Sequence, residues 1–245
     1  MAVRDLIRRL VPEALLMYRR RQRAQSVDPS FPAATPETVF RTIYEEGRWG
    51  TGPDGAYWSG DGSHNPLVVT PYVVRVGAFL ASFPAPPDIV DLGCGDFNVG
   101  SQLRHLCNRY VACDIVPSLL ERNANKYANS GVSFLNLDIV SQPLPPANVA
   151  LIRQVFQHLS NDHIERVIPK LYQYEWLVVT EHLPKGPFRP NLEKAIGQGI
   201  RLGFGSGIVL TEPPFCLAAL EQRVLAEPEI WGGRVQTIAY RLGIR

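Results

Sequence analysis

The sequence predicts an α/β protein: a doubly wound, mostly parallel sheet of seven strands closed by an antiparallel C-terminal hairpin strand. Three observations carry this. From Asp88 onward, short apolar runs alternate with segments of helical periodicity; the first run ends in an acid and a Gly-x-Gly bend that opens a helix; and the last two strand-like runs are joined too tightly for a crossover helix.

The strand-like runs span residues 89–92, 110–115, 132–137, 149–155 and 176–180, each mostly apolar or β-branched. That composition belongs to strands buried on both faces of a parallel sheet. Helical segments at 98–107, 117–127 and 161–171 fill the gaps. In the last, Ile164, Val167, Ile168 and Leu171 follow the i, i+3, i+4, i+7 spacing behind a Ser160 cap. Residues 223–230 and 234–242 flank Trp231-Gly232-Gly233, and a connection that short forces an antiparallel hairpin.

Upstream, residues 35–87 read as a helical cap. Thr35-Pro36 starts a helix whose apolar face is Val39, Phe40, Ile43 and Tyr44, with Gly47 as the stop, and Thr70-Pro71 opens a second helix towards Ser82. Between them, residues 47–66 hold six of the chain's 20 glycines together with Trp49 and Trp58. Such a stretch forms a structured loop, because glycine propagates neither helix nor strand. Residues 1–34 form a basic leader in which Val3, Leu6, Ile7 and Leu10 keep helical spacing until Pro12. Its first 23 residues carry seven arginines against Asp5 and Glu13, a local +5 in a chain whose net charge is +2.

Composition bounds the function. With 245 residues, 45% of them apolar, the chain can bury one sizeable core. A net charge of +2 at 20% charged residues argues against a broad nucleic-acid face. No apolar run approaches the roughly 18 residues that span a bilayer, and the early charges are spread as no signal peptide's are. A cytoplasmic location is expected. The leader, residues 1–23, either contacts an anionic membrane surface peripherally or packs on the domain or a partner chain. Cys94, Cys107, Cys113 and Cys216 form no C-x-x-C pair and read as reduced thiols, with no metal site among them.

The chemistry concentrates at Asp88-Ile-Val-Asp-Leu-Gly-Cys-Gly-Asp-Phe-Asn98, a strand ending in Asp91 followed by Gly93-Cys94-Gly95. Glycines there let a ligand approach the backbone where a Cβ would collide. Asp114 ends the second strand 19 residues after Gly95, where an acid can accept from both ribose hydroxyls, and Asp138 ends the third. Ligands of open α/β sheets sit outside the carboxyl ends of the strands, so these acids converge on one crevice. The third glycine of a dinucleotide motif is missing, since Asp96, Phe97 and Asn98 follow Gly95. Asp96 moreover sets a negative charge where a pyrophosphate would bind. An adenosine without phosphate, bearing a cationic centre, fits better.

This arrangement resembles the class I S-adenosylmethionine-dependent methyltransferases, whose fold is Rossmann-like, over about residues 88–245. The resemblance implies S-adenosyl-L-methionine as cofactor. Asp91, Gly93 and Gly95, with Cys94 between them, would hold the methionine part and ribose; Asp114 would take the ribose hydroxyls with Ile115 against the adenine; and Asp138 would receive the adenine amine beside Ile139. The family's frequent third glycine is Phe97 here. A narrower set, Trp49-Gly50, Ser59-Gly60-Asp61-Gly62-Ser63, Arg153...His158-Leu159-Ser160 and Pro213-Pro214-Phe215, is similar to bacterial methyltransferases of glycan and cell-surface polysaccharide modification, although Gln154 stands where that group usually has an acid.

These readings assign a small-molecule or glycan acceptor and no nucleic acid. An amine-directed methylase would carry Asn/Asp-Pro-Pro-aromatic after the fourth strand, where this chain has Arg153-Gln154-Val155-Phe156. His158 is either a general base for the acceptor hydroxyl or a hydrogen-bonded histidine at a helix start, and His182 is a second candidate. Trp49, Trp58, Ser59, Asp61 and His64 are expected in a lid over acceptor or cofactor. Residues 184–217, with Arg189 and Arg201, form either a substrate flap or a surface excursion. Gln154 joins the cofactor residues. The competing functions are a nicotinamide-dependent oxidoreductase and a non-catalytic cofactor-binding subunit.

Overall fold

A computed structural model of the chain describes residues 35–243 together with Tyr18, Arg19 and Gln22. The expected leader helix otherwise lies outside the described residues.

The sheet contains β1 (Ile89–Leu92), β2 (Tyr110–Asp114), β3 (Val132–Asn136), β4 (Val149–Arg153), β5 (Trp176–Pro184), β6 (Glu221–Ala226), β7 (Glu229–Ile230) and β8 (Gly233–Arg241). Its order is β3-β2-β1-β4-β5-β8-β6, with β7 paired to β8. The chain leaves β1 towards β2 and β3, then returns to β4 on the other side. A crevice therefore opens at the carboxyl ends of β1 and β4, where the winding reverses.

The first five strands are parallel and β8 runs antiparallel to both β5 and β6, as the closing hairpin requires. Two details differ from the sequence reading. The run 223–230 is divided into β6 and β7 around Pro228, which has no amide proton for the ladder, and the register shifts between Val224 and Ala226. β5 continues to Pro184 because β8 pairs with it from Trp176↔Arg241 to Pro184↔Gly233.

One face of the sheet buries Val90, Leu92, Ile152 and Val179 against α6 (Asn161–Leu171), whose Ile164, Val167 and Leu171 are fully buried. The other buries Ile89, Tyr110, Leu151 and Val178 against α3 (Pro66–Ala81) and α4 (Gly100–Leu103). α3 starts four residues before the predicted Thr70: the Asn65 side chain accepts from the Leu67 N–H at 2.9 Å, and Pro71 is carried inside the helix. Asn65-Pro66 and Thr70-Pro71 are chemically equivalent starts, and the upstream cap wins. α4 is correspondingly short and ends in a 3-10 turn, Arg104–Leu106. α5 (Pro117–Lys126) follows β2.

α1 (Pro36–Glu45) is capped by Thr35 and buries Val39, Ile43 and Tyr44. The Gly/Trp-rich loop folds back over the sheet through a 3-10 turn, Pro53–Gly55, and α2 (Asp61–His64). Residues 184–217 beyond β5 contain one 3-10 turn, Arg201–Phe204, among the described residues. Buried Asn191 pins this stretch. Its Nδ2 donates to the Val209, Glu212 and Pro213 carbonyls, while its Oδ1 accepts from the Val209 N–H at 2.8 Å.

Candidate active site

A cavity of about 520 Å³ opens at the switch point, and Asp91, Asp114 and Asp138 all line it. β1 and β2 end side by side, so Asp91 and Asp114 arrive from adjacent strands, both nearly buried. Asp91 accepts from Tyr110 Oη at 2.9 Å. Asp114 accepts from the Gly95 N–H at 3.0 Å and the Val116 N–H at 3.1 Å, so it also shapes the glycine bend. Asp138 lies two residues beyond β3. Its oxygens accept from the Val140 N–H and from Ser141 Oγ, and Lys170 Nζ holds the same turn by donating to the Ile139, Val140 and Gln142 carbonyls.

Gly93 and Gly95 adopt φ of +85° and +56°, and a Cβ would lie 2.4 Å from Val155 Cγ2 at the first and 2.4 Å from Ser59 Oγ at the second. Both are glycine for conformation and for space. Phe97 takes the same left-handed region, with φ 61°. Its fully buried ring, set edge-on to Tyr110, Tyr127 and Phe134, holds it in the conformation that a third glycine would adopt freely.

Burial pushes both Asp91 and Asp114 up to about 6 and Glu181 on β5 to about 8. A carboxyl whose pKa is raised on folding stabilises the protein below its unfolded pKa and loses that contribution as pH rises through the folded one. The ligand-free protein is therefore expected to lose thermal stability from about pH 4 to pH 8. A ligand that donates to Asp91 and Asp114 needs them ionised, so its affinity is expected to rise as pH climbs through about 6. A thermal-shift series with and without S-adenosylhomocysteine reads both slopes; a ligand-induced shift that shrinks between pH 5 and 7 contradicts the second.

The loop over the cavity is clasped to the glycine bend by Asp96, which is buried. Asp96 Oδ2 accepts from the Ser59 N–H at 2.9 Å and lies 2.6 Å from His64 Nε2, while the Asp96 N–H donates to Ser59 Oγ at 2.8 Å. Burial raises the Asp96 carboxyl, but the hydrogen bonds from His64 and Ser59 outweigh it and hold it below the ordinary range. Tyr44 Oη shares Ser59 Oγ at 2.9 Å, and Asn98 Nδ2 donates to the Ser63 carbonyl. Trp58 stacks on His64 with ring centroids 3.4 Å apart. Of the five residues expected in the lid, Trp49, Ser59 and Asp61 line the cavity, whereas Trp58 and His64 brace the clasp outside it.

Cys94, Ile115, Ile139, Gln154 and His158 also line the cavity, as do Tyr44, Phe40, Gln157, Gln198, Gly199 and Ile200. The mouth is aromatic: Trp49 lies 5.0 Å from the His158 ring and 5.1 Å from Tyr44. His158 Nδ1 faces the Gly197 carbonyl at 3.3 Å, so it carries the proton, and Nε2 faces Gln157 Nε2 at 3.3 Å. Burial, and then the charge of Lys194, lower its pKa to about 3, so the ring is neutral.

Three expected residues stand elsewhere. His182 is buried on β5 with Nε2 3.3 Å from the Ile230 carbonyl, packed near Trp231 and remote from the lining. Arg189 is exposed outside the cavity. Arg201 is 1% exposed and faces no ligand space; it donates to the Leu192, Phe156, Gln157 and Leu159 carbonyls and to Asn161 Oδ1. It binds residues 184–217 to the turn bearing Gln157 and His158, with Lys194 Nζ adding bonds to the His158 and Ala195 carbonyls. Among the described residues no His/Cys/Asp/Glu group could hold a metal, all four cysteines are unpaired, and no helix is long and apolar enough to cross a membrane.

Residues 89–174, from β1 to the end of the α6 region, match the family model described as "Methyltransferase domain". That stretch is similar to a methyltransferase domain, and the sheet around it has a Rossmann-like fold. Solved structures with similar folds include the N-methyltransferase NodS from Bradyrhizobium japonicum WM9 in complex with S-adenosyl-L-homocysteine, with TM-score 0.60, 14% identity, and coverage of 83% of this chain and 98% of that one. Human N-acetylserotonin methyltransferase in complex with S-adenosylmethionine gives TM-score 0.59 and 17% identity, covering 93% and 65%. Magnesium protoporphyrin IX methyltransferase from Synechocystis PCC 6803 gives 0.56 and 12%, covering 86% and 98%. No curated protein sequence matches the chain.

Proposed function

We propose that this chain is a class I S-adenosylmethionine-dependent methyltransferase acting on a hydroxyl of a sugar, glycan or other small acceptor. One observation carries the cofactor reading: three carboxylates at neighbouring strand ends share a cavity with a glycine bend whose Cβ positions are filled by Val155 and Ser59. The fit is to an unphosphorylated adenosine. Asp114 would accept from the ribose hydroxyls, Ile115 and Ile139 would flank the adenine, and Asp138 would meet its amine. Asp96 places a carboxylate at the bend where a dinucleotide would need to seat its pyrophosphate, which disfavours a nicotinamide cofactor.

When bound, S-adenosylmethionine supplies a methyl group already activated on a sulfonium. The residues supply placement: the Asp96 clasp keeps the lid on the cavity and water out, and the Trp49 and Phe40 rings offer an apolar face to the acceptor. We assign His158 Nε2 as the atom that takes the acceptor proton, a role for which Gln157 must yield its 3.3 Å contact. A ring of such low basicity contributes at the bottom of the usual range. His158→Ala is expected to lower kcat about 10²-fold and leave S-adenosylhomocysteine affinity unchanged; equal loss in both would make it a structural residue.

Transfer of labelled methyl from S-adenosylmethionine into fractionated cell extract tests the proposal, with the labelled product identified by mass. Label on a hydroxyl of a glycan or small-molecule fraction is expected. Cofactor binding with no transfer into any fraction would instead make the chain a non-catalytic binding subunit.

A further inference from the structure

The turn that brings His158 to the cavity carries a second polar side chain beside it. Phe156–His158 form a 3-10 turn after β4, and its backbone is held from behind: Arg201 Nη1 donates to the Phe156 and Gln157 carbonyls, and Lys194 Nζ to the His158 carbonyl. The His158 ring is fixed as well, by Nδ1 on the Gly197 carbonyl. The Gln157 carboxamide is not. Gln157 is 7% exposed and lines the cavity, yet its Nε2 contacts only His158 Nε2, at 3.3 Å, and its Oε1 is buried with no partner among the described residues.

A buried amide oxygen without a donor costs free energy, and a carboxamide bonded at neither end costs more. The role proposed for His158 creates that second state, because Nε2 can take the acceptor's proton only after Gln157 Nε2 has left it. The acceptor must then bring the missing partner. A carboxamide has a donor end and an acceptor end, and a hydroxyl is a small group that answers both. Gln157 Nε2 and His158 Nε2 stand about one hydrogen-bond length apart, so the two hydroxyls they receive are close neighbours on the acceptor. Trp49, its ring centroid 5.0 Å from that of His158, sets an aromatic face beside the pair. We infer that the acceptor is a ring bearing hydroxyls on adjacent carbons, one methylated at His158 and the other held by Gln157, so that Gln157 selects for a vicinal diol. The held hydroxyl is left unmethylated. The inference rests on the hydroxyl transfer proposed above and adds to it the class of acceptor and the side chain that reads it.

Transfer of labelled methyl from S-adenosylmethionine into cell extract by the whole chain, repeated on extract pretreated with periodate, which cleaves vicinal diols, tests this. Pretreatment is expected to lower incorporation at least about tenfold. Fragmentation of the labelled product should place the methyl on an oxygen whose neighbouring carbon carries a free hydroxyl. Gln157→Met should lower kcat/KM for the isolated acceptor fraction at least about tenfold while changing S-adenosylhomocysteine affinity by less than about threefold. Incorporation unchanged by periodate, a methyl with no hydroxyl on either adjacent carbon, or a Gln157→Met variant that keeps wild-type kcat/KM or loses cofactor affinity equally, overturns the inference and leaves the methyltransferase reading standing. Absence of transfer into any untreated fraction overturns both. Should Gln157→Met not fold, periodate sensitivity and the position of the methyl decide.

Discussion

Asp114→Ala is expected to lower the affinity for S-adenosylhomocysteine by at least about 100-fold, the loss of two charge-assisted hydrogen bonds at roughly 1.5 to 3 kcal/mol each. The side chain has two duties on this reading. It would accept from both ribose hydroxyls, and it fixes the bend through the Gly95 and Val116 N–H groups, which the substitution leaves without their acceptor. Asp114→Asn keeps the shape, retains one acceptor oxygen and removes the charge, so an intermediate loss should follow. The change should leave the fold intact, because burial already disfavours the charged form of Asp114 in the ligand-free protein. Calorimetry reads the affinity and circular dichroism the fold; an Asp114→Ala variant that binds as wild type does would remove this residue from the site.

The largest effect on stability is expected at Arg201. Arg201→Met would strip donors from four carbonyls and from Asn161 Oδ1 in a region closed to water. Deleting a buried, fully hydrogen-bonded cation costs about 3 to 5 kcal/mol. In a chain of 245 residues that corresponds to a fall in Tm of roughly 10 °C. Function should split as well. The turn that Arg201 ties down bears Gln157 and His158, not the strand-end acids, so KM for the acceptor should rise while S-adenosylhomocysteine affinity changes little. A loss below about 1 kcal/mol in denaturant melts would mean that the carbonyls find other partners.

The contrast between those two residues explains what was legible in the sequence. The ends of β1 and β2 were readable because a strand buried on both faces leaves an apolar run, and the acid at its end marks the carboxyl edge: Asp91 is the last but one residue of β1 and Asp114 the last of β2. β3 differs from the expectation of burial on both faces, because it is the edge strand and is partly exposed, and Asp138 stands two residues beyond it. α6 was readable from its spacing and its Ser160 cap, and its bounds agree with the structure at both ends. Arg201 was not readable. Its partners are backbone carbonyls, which every residue possesses, so an arginine among glycines looks like a flap reaching for substrate when it is a buried tie. The Asp96 clasp escaped for another reason. Ser59 and His64 lie more than 30 positions from Asp96, and only the fold shows that the loop comes back onto the glycine bend. Trp58 and His64 looked like ligand contacts on the strength of their residue types; stacked on each other, they serve the lid from behind. Pro228 was a breaker visible in the run 223–230, and β6 and β7 part there because a proline cannot donate to a ladder.

On the proposed function, the switch-point cavity takes an adenosine without a pyrophosphate, held by acids rather than by a helix N-terminus. Parallel titration of the purified chain with S-adenosylhomocysteine and with NAD at pH 7.5 tests it most directly. Saturable one-to-one binding of S-adenosylhomocysteine, weakened as pH falls below about 6, with no heat from NAD, is the predicted result. Binding of NAD without S-adenosylhomocysteine would contradict it.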